Sequence, residues 1–159
     1  MCGIAGIIYK DGEHPIGAEM TRMLQSMKHR GPDSTGYALY GQPSNLVIMR
    51  YKLADANTTR DFEYEDRLRR HRAEVERRLH SLGVRVHELV EENEYAFRVS
   101  LEYSGDLKRL ADFVEDVPDV EVLSLGNSLE IVKDLGDAES VARGYQLNEF
   151  TGTHAIGHV

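Results

Sequence analysis

Cys2 is the residue of this sequence best placed to act as a nucleophile. It is the single cysteine among 159 residues and directly follows the initiator Met. A side chain this small at the second position normally allows the initiator to be trimmed. The mature chain would then carry a thiol and a free α-amine on one residue. An unperturbed α-amine titrates near about 7.7–8 and a thiol near about 8.5. Such an amine is partly unprotonated at neutral pH and can take a thiol proton, directly or through water. By position alone, a lone cysteine is more often a small buried hydrophobe than a nucleophile. A second stretch, His29-Arg30-Gly31-Pro32-Asp33-Ser34-Thr35-Gly36, packs charge, hydroxyls and turn residues into eight positions. Gly31-Pro32 must end any preceding helix. Loops of this kind hold site residues on a rigid scaffold, or simply turn the chain through local Asp and Ser hydrogen bonds.

Taken together, Cys2-Gly3-Ile4-Ala5-Gly6, an amphipathic helix and then His29 to Gly36 resemble the start of a class II glutamine amidotransferase domain. Within that family the chain is most similar to the glutamate-synthase-like amidotransferases. The motifs match over about the first forty residues and, more weakly, over the last few. The resemblance implies an α+β fold with a partial αββα core of the N-terminal nucleophile hydrolases. It implies that Cys2 attacks the side-chain amide of glutamine and releases ammonia through a γ-glutamyl thioester. Arg30, Gly31, Asp33 and Ser34 would order the site rather than perform chemistry. The implied partners are glutamine and a downstream synthase domain or subunit that receives the ammonia.

The elements that must position these residues follow from periodicity. Residues 3–9 read as a buried strand, closed by the turn Lys10-Asp11-Gly12. Met20, Met23, Leu24 and Met27 make one face of a helix over about 16–28. Thr35 to Tyr40 is a second strand.

From residue 45 the pattern changes. Leu46–Leu53 is strand-like, and a charged helix over about 62–82 carries Leu68, Val75, Leu79 and Leu82 on one stripe. Its Arg69, Arg70, Arg72, Arg77 and Arg78 are interleaved with acids, the pattern of a solvated face with i,i+4 pairs. Val84–Val90 is a strand. Tyr95, Phe97, Val99 and Leu101 alternate with Ala96, Arg98, Ser100 and Glu102, predicting one buried and one wetter face. A helix over about 106–116 precedes strands at Val120–Leu125 and Leu129–Val132 around the turn Gly126-Asn127. A βαββαβ order of this kind predicts a ferredoxin-like layout with both helices on one face. The expected organisation is residues 1–44 of the core, a ferredoxin-like insert over 45–134, and 135–159 as a connecting helix and returning core strand. Asp137 is placed to cap a short helix over 137–144.

The sequence closes on Gly157-His158-Val159. In the resembling family a strand of this type runs directly into an Arg that grips the substrate carboxylate. Later come an Asn-Gly pair for the oxyanion hole and an Asp for the substrate α-amine. The expectation is therefore an incomplete site, weak or inactive by itself. The alternative expectation is a non-catalytic binding or regulatory module of amidotransferase ancestry.

Composition limits the partners. The formal charge of −8 lacks the basic face that nucleic acid requires. No apolar run reaches the ~18 residues of a membrane span, and the N-terminus lacks the regions of a secretory signal. One cysteine excludes an internal disulfide and fits a reducing, cytoplasmic setting. His154 and His158 share parity on a strand, but a zinc site needs three or four converging ligands. Neither metal nor cofactor is expected.

Overall fold

The computed structural model of the chain describes residues 2–30 and 33–159. Fourteen short elements alternate in it, and all strand pairing is antiparallel. The strands are β1 (Ile4–Ile8), β2 (Ser34–Tyr40), β3 (Val47–Lys52), β4 (Arg85–Glu91), β5 (Ala96–Glu102), β6 (Glu121–Gly126), β7 (Leu129–Leu135) and β8 (His154–His158). The helices are α1 (Ile16–Ser26), α2 (Tyr64–Ser81), α3 (Leu107–Glu115) and α4 (Ala138–Gly144). Single 3₁₀ turns lie at Lys28–Arg30 and Leu147–Glu149. Contacts divide the chain into two units, Met1–Ser44 with Ser128–Val159, and Asn45–Asn127. No helix among the described residues is long and apolar enough to cross a membrane.

The first unit is built on a four-stranded sheet in the order β1-β8-β2-β7. Its strands are short but closely matched, with Tyr37 of β2 facing Gly157 on one side and Val132 on the other. One face packs on α1 and α4 through Ile16, Met20, Leu24, Tyr37, Leu39, Val132, Val141 and Ala155, all buried. The helix approaches closely because β8 carries Gly157 beneath it. A Cβ there would lie 2.6 Å from Leu24 Cδ1 and 3.2 Å from Met20 Sδ. A buried polar thread joins the layers. The Thr21 hydroxyl donates to the Gly17 carbonyl at 2.7 Å and lies 3.1 Å from the Tyr37 hydroxyl, which donates to the Ala138 carbonyl at 2.9 Å. Burial of Tyr37 pushes its phenol up to about 12. As expected from sequence, Asp137 caps α4 by accepting from the Ser140 amide at 2.9 Å.

Two expectations change here. The apolar stripe of α1 is Ile16, Gly17, Met20, Thr21 and Leu24, and Met23 stands 37% exposed. The stripe follows i, i+4, i+8, so a residue three positions after Met20 swings to the flank. Nor is β1 a buried strand. Ile4 and Ile8 are 74% and 75% exposed, because alternate residues of an edge strand point away from the single helical layer.

The second unit runs β3-α2-β4-β5-α3-β6, with sheet order β4-β5-β3-β6. Met49 and Tyr51 of β3 and Phe97, Val99 and Leu101 of β5 point to one face. There they bury Val75 and Leu79 of α2 and Leu110 and Val114 of α3. Asp106 caps α3 through the Arg109 amide at 3.0 Å. The charges of α2 pair along the helix, and Glu74, held by Arg77 and Arg78, has its carboxyl lowered to about 2. The face of β5 expected to be wetter is so only in part: Glu102 is exposed and Arg98 half-buried, while Ala96 and Ser100 are 0% and 7% exposed. As an interior strand between β4 and β3, β5 has little access to solvent at either edge.

The boundary also moves. The sequence reading carried the insert to residue 134, whereas the second unit ends at Asn127. β6 and β7 flank one turn like a hairpin, yet β7 pairs with β2 from Ser34↔Leu135 to Tyr40↔Leu129 in the first sheet.

Candidate functional site

Cys2 precedes β1 and is exposed and free of any disulfide. Its position is set by the next residue. Gly3 donates to the Val159 carbonyl at 2.8 Å and accepts from the Val159 amide at 2.9 Å. Two reciprocal bonds clamp the backbone next to Cys2 to the residue that follows β8. Gly3 is buried there, with Val159 Cγ2 3.2 Å and Met27 Cβ 3.4 Å from where its Cβ would be. Any side chain at position 3 would press on the core and move the thiol.

Cys2 opens onto a groove of about 400 Å³ on the face of the first sheet opposite α1 and α4. Its floor is β2 at Gly36 and Ala38, and its walls include Ile4 and Ile156 on one side and Ile131 on the other. The polar side chains around it are Cys2, Lys133 and His158. The His158 ring lies directly over Gly36, in the space a Cβ would occupy, so glycine is required for the imidazole to lie flat. The site as it stands is a thiol beside an apolar trench, with one amine and one imidazole at the same end of the sheet. That arrangement suits covalent attack on a small polar group whose aliphatic stem lies along the trench.

Of the sequence-derived site residues that are described, only Cys2 lines this groove. Arg30 ends the 3₁₀ turn, where its amide donates to the Met27 carbonyl at 2.8 Å. Asp33 is exposed and its carbonyl accepts from the Gly136 amide at 3.1 Å. Ser34 opens β2 opposite Leu135. These contacts fix where β2 begins and therefore where Gly36 falls. Gly31, with Pro32, lies outside the described residues. The sequence reading missed Lys133 and Ile131, whose alternation along β7 was visible but was assigned to the other unit. His154 and His158 occupy one face of β8 as their parity required. His154 stacks on Tyr40 with ring centres 4.0 Å apart, while His158 covers Gly36.

The chain is similar to glutamine amidotransferase-like proteins. It is 37% identical over 162 residues to a Methanothermobacter thermautotrophicus protein named "Putative glutamine amidotransferase", an alignment covering 99% of this chain and 51% of that protein. It is 29% identical over 160 residues to the glutamine amidotransferase-like protein GlxB of Rhizobium meliloti, covering 99% of this chain and 49% of GlxB. The chain thus spans about half the length of the curated relatives it matches. Both alignments run through the second unit as well as the first, so residues 45–127 have counterparts in these relatives. No family model matches.

Proposed function

We propose that this chain carries the nucleophile-bearing part of a class II, glutamate-synthase-like glutamine amidotransferase. The observation that supports this best is the placement of Cys2. Cys2 lies at the mouth of a groove, held by the pairing of Gly3 with Val159, in a chain that aligns over 99% of its length with about half of a protein named as a putative glutamine amidotransferase. With the initiator removed, the α-amine of Cys2 takes the thiol proton. The thiolate attacks the carbonyl carbon of the glutamine side-chain amide. Collapse of the tetrahedral adduct expels ammonia, which leaves with a proton returned by the α-amine. Water then hydrolyses the thioester to glutamate and regenerates the thiol. The ammonia passes to a synthase domain or subunit.

The helices on one face of the first sheet support reading that unit as one half of an αββα core. The βαββαβ order and the β4-β5-β3-β6 sheet support reading the second as a ferredoxin-like insert. A second reading, a non-catalytic module of the same ancestry, is favoured by the bare groove face. Among the described residues that line the groove there is no arginine to hold a substrate carboxylate or serve as an oxyanion-stabilising guanidinium. Losing one such donor typically costs about 10²–10³ in turnover.

The test is ammonia release from glutamine. The purified chain alone should match its Cys2→Ala control, although iodoacetamide should still alkylate Cys2. Co-expressed with the half of the Methanothermobacter relative that it does not cover, it should release ammonia, and Cys2→Ala should lower that release by more than about 10³-fold. Intact mass should show a mature chain beginning at Cys2. Release that survives Cys2→Ala would sink the reading.

A further inference from the structure

A cavity of about 320 Å³ opens in the second unit between the end of β3, the first turns of α2 and the loop from α3 to β6. Its floor is apolar, since Leu53 and Ala54 are both buried. Backbone bonds hold the rim in shape. The Leu53 amide donates to the Tyr95 carbonyl at 2.8 Å. Beyond it, the Thr58 amide donates to the Asp55 carbonyl and the Asp55 amide to the Thr58 hydroxyl, both at 2.9 Å. Three polar groups of the rim are underused. Among the described residues the Arg67 guanidinium reaches oxygen only at the Thr59 carbonyl, 3.5 Å away, and at Asp61, 3.6 Å away. A guanidinium has five N–H donors to place. The Asp119 carboxylate and the Thr59 hydroxyl make no hydrogen bond or ion pair with the described residues. Arg67 and Asp119 thus line one cavity without pairing with each other. A cation and an anion face the same space and leave it open.

We propose that this cavity binds a free α-amino acid with a small polar side chain, its carboxylate on Arg67 and its ammonium on Asp119. An α-amino acid carries both charges on one carbon, the arrangement that a facing but unpaired cation and anion can receive. The planar guanidinium matches a carboxylate through two parallel bonds. Leu53 and Ala54 take the aliphatic part of the ligand, and the Thr59 hydroxyl is free to meet a polar side chain. The volume lies at the lower end of the roughly 300–1,000 Å³ of small-molecule sites, which suits a ligand of this size and not a nucleotide. Other small ligands fit the charges less well. A phosphate would face two carboxylates, Asp55 and Asp119, across one guanidinium, and like charges at short range repel. A calcium ion takes about six to eight oxygens, whereas here Asp55 already pairs with Lys52 and Arg67 opposes a cation. The cavity lies wholly within the second unit, so its ligand is independent of Cys2 and of the amidotransferase reading.

The experiment is an amide NMR titration of the full chain with L-serine, L-asparagine and L-glutamine. At least one of them should shift the amides of Asp55, Thr58, Thr59 and Arg67 saturably, with half-saturation at or below about 1 mM. The N-acetyl and carboxamide derivatives of the amino acid that binds lack the ammonium and the carboxylate in turn. Each should bind at least about tenfold more weakly. Arg67→Gln and Asp119→Asn should each weaken binding by at least about the same factor. Asparagine accepts the φ of 63° at position 119, so that variant removes charge without straining the loop. Arg69→Gln, on α2 outside the cavity, should leave binding unchanged. Unaltered urea midpoints would show that the variants fold, and the ligand derivatives probe the same two contacts on the unaltered chain. No saturable shift of these amides by any of the three amino acids overturns the proposal. So does binding that is indifferent to loss of both charges, from the ligand or from the chain. Shifts that acetate alone reproduces at equal concentration overturn it as well, because the site would then take anions and not a zwitterion.

Discussion

The two sheets of this chain have the same number of strands and opposite surfaces. Each buries one face under two helices. Beyond that face the second unit presents charge: Arg50, which pairs with Glu92, and Lys52, which pairs with Asp55 and Glu121, stand beside Ser100 and Ser124. The first unit presents isoleucine, alanine and glycine. The charged face of the second unit is nonetheless largely buried, with Arg50, Lys52, Ser100 and Ser124 each at most 9% exposed, whereas Ile4, Ile8 and Ile156 on the apolar face are more than half exposed. The difference lies in side-chain parity along strands of similar length, since a strand with both faces apolar is suited to burial on both sides.

That contrast can be broken most forcefully by truncating matched aliphatic residues. Leu101→Ala, in the closed core of the second unit, should cost about 2–5 kcal/mol in urea unfolding of the full chain. Ile156→Ala, on the bare face, should stay within about 0.5 kcal/mol. Equal costs would mean that the face of the first sheet is already packed. Hydroxyl deletions sharpen the comparison at smaller scale. Tyr37→Phe removes the bridge from Thr21 to Ala138 and strands a buried carbonyl, so a loss of about 1–3 kcal/mol is expected. Tyr51 is 0% exposed and its hydroxyl has no protein partner among the described residues. Tyr51→Phe should be neutral or stabilising.

The helix caps come next. Asp137→Ala and Asp106→Ala should each cost about 1 kcal/mol by thermal or urea unfolding. Hydrogen bonds from Ser140 hold the Asp137 carboxyl below its ordinary value of 3.8. Its contribution is therefore complete above that value and is lost as pH falls through the lower folded value. Asp137→Ala should flatten the acid limb of stability there. The smallest effect belongs to His71 on α2, which burial pushes below 6.5. Its neutral form is the one the fold prefers, so stability should be level above pH 6.5 and decline as pH drops beneath it. His71→Gln should remove that part of the slope.

Much of this was legible in the sequence because it is local. Asp137 announced a helix start, and the alternation from Tyr95 to Leu101 a strand. Cys2 stood out through its position. What escaped were facts of pairing. Ile131-Val132-Lys133 alternates identically whether its neighbour is β6 or β2, so parity could not reveal that β7 crosses to the other unit and brings Lys133 to the groove. The apolar run Ile4–Ile8 read as buried because sequence records the chemistry of a face and not whether a second layer covers it. Met23 failed for a simpler reason: a four-residue spacing and a three-residue spacing diverge within two turns.

The clamp between Gly3 and Val159 also orders events in time. Among the described residues β1 pairs with β8, so the strand that follows Cys2 can find its place only after residues 154–159 have left the ribosome. The second unit closes over a continuous stretch, Asn45–Asn127, and can fold while the first still lacks its central strand. During synthesis the thiol is made well before the strand that positions it.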